Sequence, residues 1–140
     1  MDTATSADDA YTPPERENLY PGKAIVIRPM RDQTRKDLFG RVLELKDLIA
    51  YQEGTVASRM LVNRKTGSIT IFSFDKDEGL SEHTAPFDAV VTILDGECEV
   101  WVAGETFAMR EGQSIVFPAN VPHALSAVSR FKMSLTMIKD

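Results

Sequence analysis

Two imidazoles dominate the chemistry this chain offers. His83 and His123 are its only two histidines, and 40 positions separate them. Imidazole changes charge near neutral pH; its neutral form accepts a proton or binds a divalent metal. Cys98 is the single cysteine. As a thiolate it is a soft metal ligand, and as a thiol it is a small apolar filler. The carboxylates nearest His83 along the chain are Glu82 and Asp88. Each adjoins a position read as inward-facing, His83 or Ala89, and neighbours on an extended strand point to opposite faces. Both carboxylates are therefore expected to face out. Catalytic zinc usually keeps three protein ligands and a water, and non-heme iron often takes two histidines and a carboxylate. Two imidazoles alone fall short of either set.

The elements that must position these groups read mostly as short strands. Val56–Val62 and Ser68–Phe74 alternate with period two and are joined through Asn63–Gly67. Ala89–Leu94 and Glu97–Val102 flank Asp95–Gly96, a pair that tolerates positive φ and predicts a two-residue hairpin turn. Ala103–Gly104 predicts a second tight turn and Arg110–Gly112 a third. Ser114–Phe117 is a strand ended by Pro118, followed by His123–Ala127 and Phe131–Met137. About eight short strands with turns every 8–12 residues specify an antiparallel sandwich or barrel. The one predicted helix is Glu44–Gln52, where Leu45, Leu48 and Ile49 share a face and Gly54 stops the run. Parity puts Val91, Ile93, Cys98, Val100, Met133 and Leu135 inside, with Met137 nearby, and Glu97, Glu99 and Trp101 outside. An outward Trp101 suggests a subunit contact.

Composition bounds the rest. The chain has 140 residues, 43% hydrophobic, with a formal net charge of -5. That length suits one domain with a substantial core. Net negative charge disfavours a general nucleic-acid partner, since phosphate binding needs a positive surface. One cysteine excludes an intrachain disulfide framework. No apolar stretch approaches the ~20 residues of a membrane span, and Met1–Ala10 has no signal-peptide pattern, so a cytoplasmic location is expected. Residues 1–22 are acidic and proline-containing and read as a flexible tail. Residues 23–55 hold a basic arm, with six bases against two acids over 23–41, and the short helix. Within the arm, Ala24–Ile27 is a candidate edge strand, able to add to a neighbour's sheet. Residues 56–140 form the barrel.

One constellation spans that barrel. Gly79-Leu-Ser-Glu-His83, then Gly96, then Gly112, Pro118 and His123 resemble the two motifs of the cupin superfamily. The first family motif runs G-x5-H-x-H-x(3,4)-E-x6-G and the second G-x5-P-x-G-x2-H-x3-N. Spacing from Gly112 through Pro118 to His123 matches fully. Counted back from Gly96, His83 takes the place of the first histidine, Ala85 that of the second and Ala89 that of the glutamate. Asn120 replaces a glycine, and Ala127 the closing asparagine. The resemblance implies an all-β, antiparallel jelly-roll barrel (double-stranded β-helix), commonly a homodimer, in which His83 and His123 converge. It also implies a ligand pocket between them, bounded by Ala85, Ala89, Val91, Cys98 and Met133. With methyl groups at two of four ligand positions, a small-molecule-binding protein with a weak or absent metal site is expected. The alternative is a metal-dependent enzyme of the dioxygenase or isomerase type. There, His83 and His123 hold a divalent Fe, Mn, Ni, Cu or Zn with waters completing the shell. An interaction protein working through its basic arm is the third class.

Overall fold

The computed structural model describes residues 27–29 and 38–139. The expected acidic tail and most of the basic arm lie outside the described residues. Among the described residues, eight strands form one hydrogen-bonded network: β1 (Ile27–Pro29), β2 (Val56–Arg64), β3 (Gly67–Phe74), β4 (Gly79–His83), β5 (Asp88–Val102), β6 (Glu105–Arg110), β7 (Ser114–Phe117) and β8 (His123–Ile138). All pairings are antiparallel except β1 on β2. Among the described residues, no helix is long and apolar enough to cross a membrane.

β5 and β8 are the frame. They pair along their whole length, from Asp88↔Ile138 to Val102↔His123. The outer ends of that ladder recruit different partners. Glu97–Val102 pairs with β6, and β4 pairs with the start of β8. Ala89–Thr92 pairs with β7, while the far end of β8 carries β3, then β2. The network is thus two half-sheets sharing two strands, the jelly-roll arrangement.

A bend between the halves lets them face each other. Ile93 pairs with Met133, but the next pair is Asp95↔Lys132, skipping Leu94; then Val128, Ser129 and Arg130 stand opposite Glu97 alone. Such irregularities kink a ladder and increase its twist. Gly96 sits at the kink with φ +78°, and a Cβ there would lie 1.9 Å from the Arg130 carbonyl oxygen. Only glycine fits. The core fills the space between the halves, taking Leu80, Cys98 and Val100 from one and Phe74, Val91 and Phe131 from the other. Phe74 and Phe131 stack with ring centroids 4.4 Å apart. Truncating either to alanine would remove about 3–5 kcal/mol.

Three expectations need correction. Asp95–Gly96 is not a hairpin turn; β5 runs through it. The pair's positive-φ tolerance is used for a bulge, because both flanking segments pair with β8 instead of with each other. The segments His123–Ala127 and Phe131–Met137 are likewise one strand. In place of a helix over Glu44–Gln52 there is a four-residue 3-10 turn, Leu45–Leu48. So short a helix gains little alone. Ile49 instead turns extended and buries against Ala57 and Ile71 on the outer face of the sheet. Of the proposed Ala24–Ile27 strand, residues 24–26 lie outside the described residues; Ile27 opens β1, which pairs with Val56–Ser58. The Ala103–Gly104 and Arg110–Gly112 turns and the Ser114–Phe117 strand stand as expected, with Ala103, Gly104 and Gly112 at positive φ.

The segment after the 3-10 turn clamps the outside of the bend. Tyr51 donates its hydroxyl proton to the Asp95 carboxylate at 2.5 Å, and burial together with that carboxylate raises the phenol pKa. Ser73 Oγ donates to the Ala50 carbonyl at 2.9 Å. Asp75 accepts from the Gly54 backbone and from Arg130, which hold its pKa at about 2.

Candidate functional site

His83 ends β4 and His123 begins β8, and the two are directly paired across the ladder. Forty positions of sequence are closed by one register. The ring centroids lie 4.4 Å apart at an interplanar angle of 69°. Phe117 stacks on His123 at 4.2 Å and 19°.

Each ring is aimed by its own backbone. His83 Nδ1 lies 2.7 Å from the Ser81 carbonyl, and His123 Nδ1 lies 2.8 Å from the Val121 carbonyl. A carbonyl oxygen only accepts, so each Nδ1 carries the proton, and in the neutral ring Nε2 carries the lone pair. Burial lowers both pKa values below 6.5, the carbonyl bonds oppose that shift, and His123 adds a further lowering at His83. Both imidazoles are accordingly neutral at physiological pH.

The loop that delivers His123 is pinned on both sides. Asn120 N donates to the Ala85 carbonyl at 2.7 Å, and Ala103 N donates to the Pro122 carbonyl at 3.0 Å. Ala119 N donates to the Asp88 carboxylate at 2.8 Å. Asn120 occupies φ +66°, a left-handed conformation that asparagine tolerates better than most side chains. This accounts for an asparagine where the motif has glycine.

The rings open onto a cavity of 40 Å³ between the half-sheets, room for about three waters. His83, His123, Ala85, Ala89 and Met133 line it, with Leu135 and Met137. Two residues expected in the pocket do not reach it. Val91 and Cys98 are buried in the core but do not line the cavity. Strand parity gives the face a residue occupies and not its depth along the barrel. Cys98 lies past the Gly96 bend, between Met109 and Ala127, and burial pushes its thiol up to about 12. It stays a thiol at neutral pH. Glu82 and Asp88 are exposed, as parity required, and the Asp88 carboxylate caps the 118–122 loop. Trp101 points outward but is partly buried.

Leu80, Phe87, Ala124 and Leu125 also line the cavity and were not singled out from sequence. Leu125 was within reach, since it repeats the parity of His123. Phe87 lies in the connection before β5, where no periodicity applies.

A metal needs more donors than this arrangement supplies. Among the described residues, no group of three or more His, Cys, Asp or Glu is placed to hold one. The methyl groups of Ala85 and Ala89 border the same cavity as the two imidazoles.

Comparisons with known proteins agree with the geometry. The model of the Cupin domain matches residues 70–139. A conserved protein of unknown function from Streptococcus pyogenes is 42% identical, with a TM-score of 0.69, over 72% of this chain and 89% of that one. A cupin superfamily protein from Desulfitobacterium hafniense is 30% identical, with a TM-score of 0.69, over 72% and 93%. A cupin 2 conserved barrel domain protein from Leptotrichia buccalis is 44% identical over 67% of this chain and 46% of its own, with a TM-score of 0.65. No curated protein matches the sequence. The half-sheet architecture, the paired histidines and these matches converge: the chain belongs to the cupin superfamily.

Proposed function

We propose that this cupin binds a small organic molecule in the cavity between its half-sheets, with weak or absent metal binding. The observation that carries the reading is the company the two imidazoles keep. Apolar side chains surround them, and alanines border the cavity at the two positions where the family motif has a histidine and a glutamate. Enclosed apolar cavities with a few convergent polar groups are the usual form of small-molecule sites.

One observation favours a second reading, a metal-dependent enzyme of the dioxygenase or isomerase type. The Nδ1–H to carbonyl bonds at His83 and His123 are the contacts that orient metal-ligating imidazoles and raise their basicity. In that reading a divalent ion would supply Lewis-acid or redox chemistry. The donor set remains two short of the family's four, so no reaction step is derived through it.

Metal analysis of protein purified without a histidine tag separates the two. The binding reading expects less than about a tenth of an equivalent, and a stoichiometric metal would favour the enzyme reading instead.

A further inference from the structure

The half-sheet that carries β2 and β3 turns an apolar band toward water. Val116 pairs with Val90, Val90 with Thr136, Thr136 with Ile69 and Ile69 with Val62, so five β-branched residues form one row across β7, β5, β8, β3 and β2. Ala89, Val91 and Phe117, their neighbours along the chain, belong to the core, so the row faces outward. Val62, Val90 and Val116 are 38%, 36% and 54% exposed. The chain covers the adjoining part of this face itself, where Leu48 and Ile49 cluster with Ile71 and Leu94. The next row in the other direction, two residues along each strand, is Arg64, Gly67, Ile138 and Asp88. Ile138 is 59% exposed, and Arg64 and Asp88 are exposed as well. That row ends in a cation on β2 and a carboxylate on β5.

A face that is apolar along its middle and opposite in charge at its two ends is complementary to itself. A two-fold axis parallel to the strands, between β3 and β8, sets Val62 over Val90, Ile69 over Thr136 and Arg64 beside the partner's Asp88, each contact made twice. We infer that a second copy of this chain docks here, sheet on sheet, as an isologous homodimer. Sheets stacked this way lie about 10 Å apart with their strands roughly aligned, within reach of an arginine–carboxylate pair. Burial of the valines drives the association and the two ion pairs fix its register. The outer face of the other half-sheet carries the exposed carboxylates Asp77 and Glu99 beside Trp101, and a second copy there would bring like charges together.

Sedimentation velocity of the full chain tests the assignment. At about 100 μM the parent is expected to sediment as twice its 15.6 kDa mass. Val90→Lys and Val62→Lys, each setting ammonium groups into the contact, are expected to raise the dimer dissociation constant at least about a hundredfold while keeping the parent's circular dichroism. Arg64→Asp, which sets carboxylate against carboxylate, is expected to raise it at least about tenfold. Arg64 is exposed, so this variant decides the matter even where the valine variants fail to fold. Trp101→Lys, on the other half-sheet, is expected to remain dimeric. A monomeric parent would overturn the inference and leave the face to another segment or another protein. So would folded valine variants that stay dimeric, an unchanged dissociation constant in Arg64→Asp, or a monomeric Trp101→Lys.

Discussion

The inner cavity and an outer groove lie on opposite faces of the same strands. Leu80, Ala124 and Leu125 border both. The groove is much the larger, 360 Å³ against 40 Å³, and carries Trp101, Asp77 and Glu99. Volume is nevertheless a poor guide to which is the site. The groove is built from one half-sheet, and its carboxylates stand exposed to water. The cavity is built from both halves, and among the described residues its lining is hydrocarbon apart from two imidazoles, each fixed by a main-chain carbonyl. Enclosure strengthens each polar contact made inside it. The difference teaches that the bend between the halves, and not any single loop, creates the site.

The largest expected effect comes from breaking that bend. Gly96→Ala must displace the Arg130 carbonyl and hold a left-handed alanine. The variant is expected to lose more than about 3 kcal/mol in denaturant titration, if it folds at all. Gly104→Ala is the control. It shares the positive φ, but nothing lies within 4 Å of its added Cβ, so a loss of only ~1 kcal/mol is expected. Equal losses would mean that the bend is not what joins the halves.

Next in size is a gain. Ala85→His with Ala89→Glu would add two donors to a cavity already holding two imidazoles. Calorimetric titration with Zn(II) is expected to show at least about a hundredfold tighter binding than the parent chain, worth ~2.7 kcal/mol. Trp101→Ala, confined to the groove, is expected to leave the parent affinity unchanged. No gain in the double variant would show that these four positions do not converge.

A smaller effect is expected on acidification. Both histidine pKa values are lowered in the folded chain, chiefly by burial. As pH falls through 6.5, the unfolded chain therefore takes up protons before the folded one. Their contribution to stability is present above that pH and declines below it. Thermal melts across this range should show the decline, and a His83→Gln, His123→Gln variant should flatten it. A double variant as acid-sensitive as its parent would place the titration elsewhere.

Much of this was legible in the sequence, for reasons particular residues make plain. Gly112, Pro118 and His123 keep the family spacing because a turn, a strand end and a cavity-facing position must follow at fixed distances. Alternation from Cys98 to Val102 and from Phe131 to Met137 gave the inward face correctly. What stayed hidden was decided by partners distant in the chain. Asp95–Gly96 and Ala103–Gly104 both read as turns, yet only the second reverses the chain, because β8 captures both segments flanking the first. The Leu45, Leu48 and Ile49 stripe reads as a helix, but the outer face of β2 and β3 draws Ile49 into an extended conformation. Cys98 was placed on the right face and at the wrong depth, since parity carries no information along the barrel axis.

The central claim is that two neutral imidazoles meet inside the fold, each with its proton on Nδ1 and its lone pair on Nε2. Long-range proton–nitrogen correlation spectra of the histidine rings at about pH 8 test it most directly. The account predicts a protonated Nδ1 and an unprotonated Nε2 in both residues, with a nuclear Overhauser contact between the rings. A proton on Nε2 of either ring, or rings with no contact between them, would contradict it.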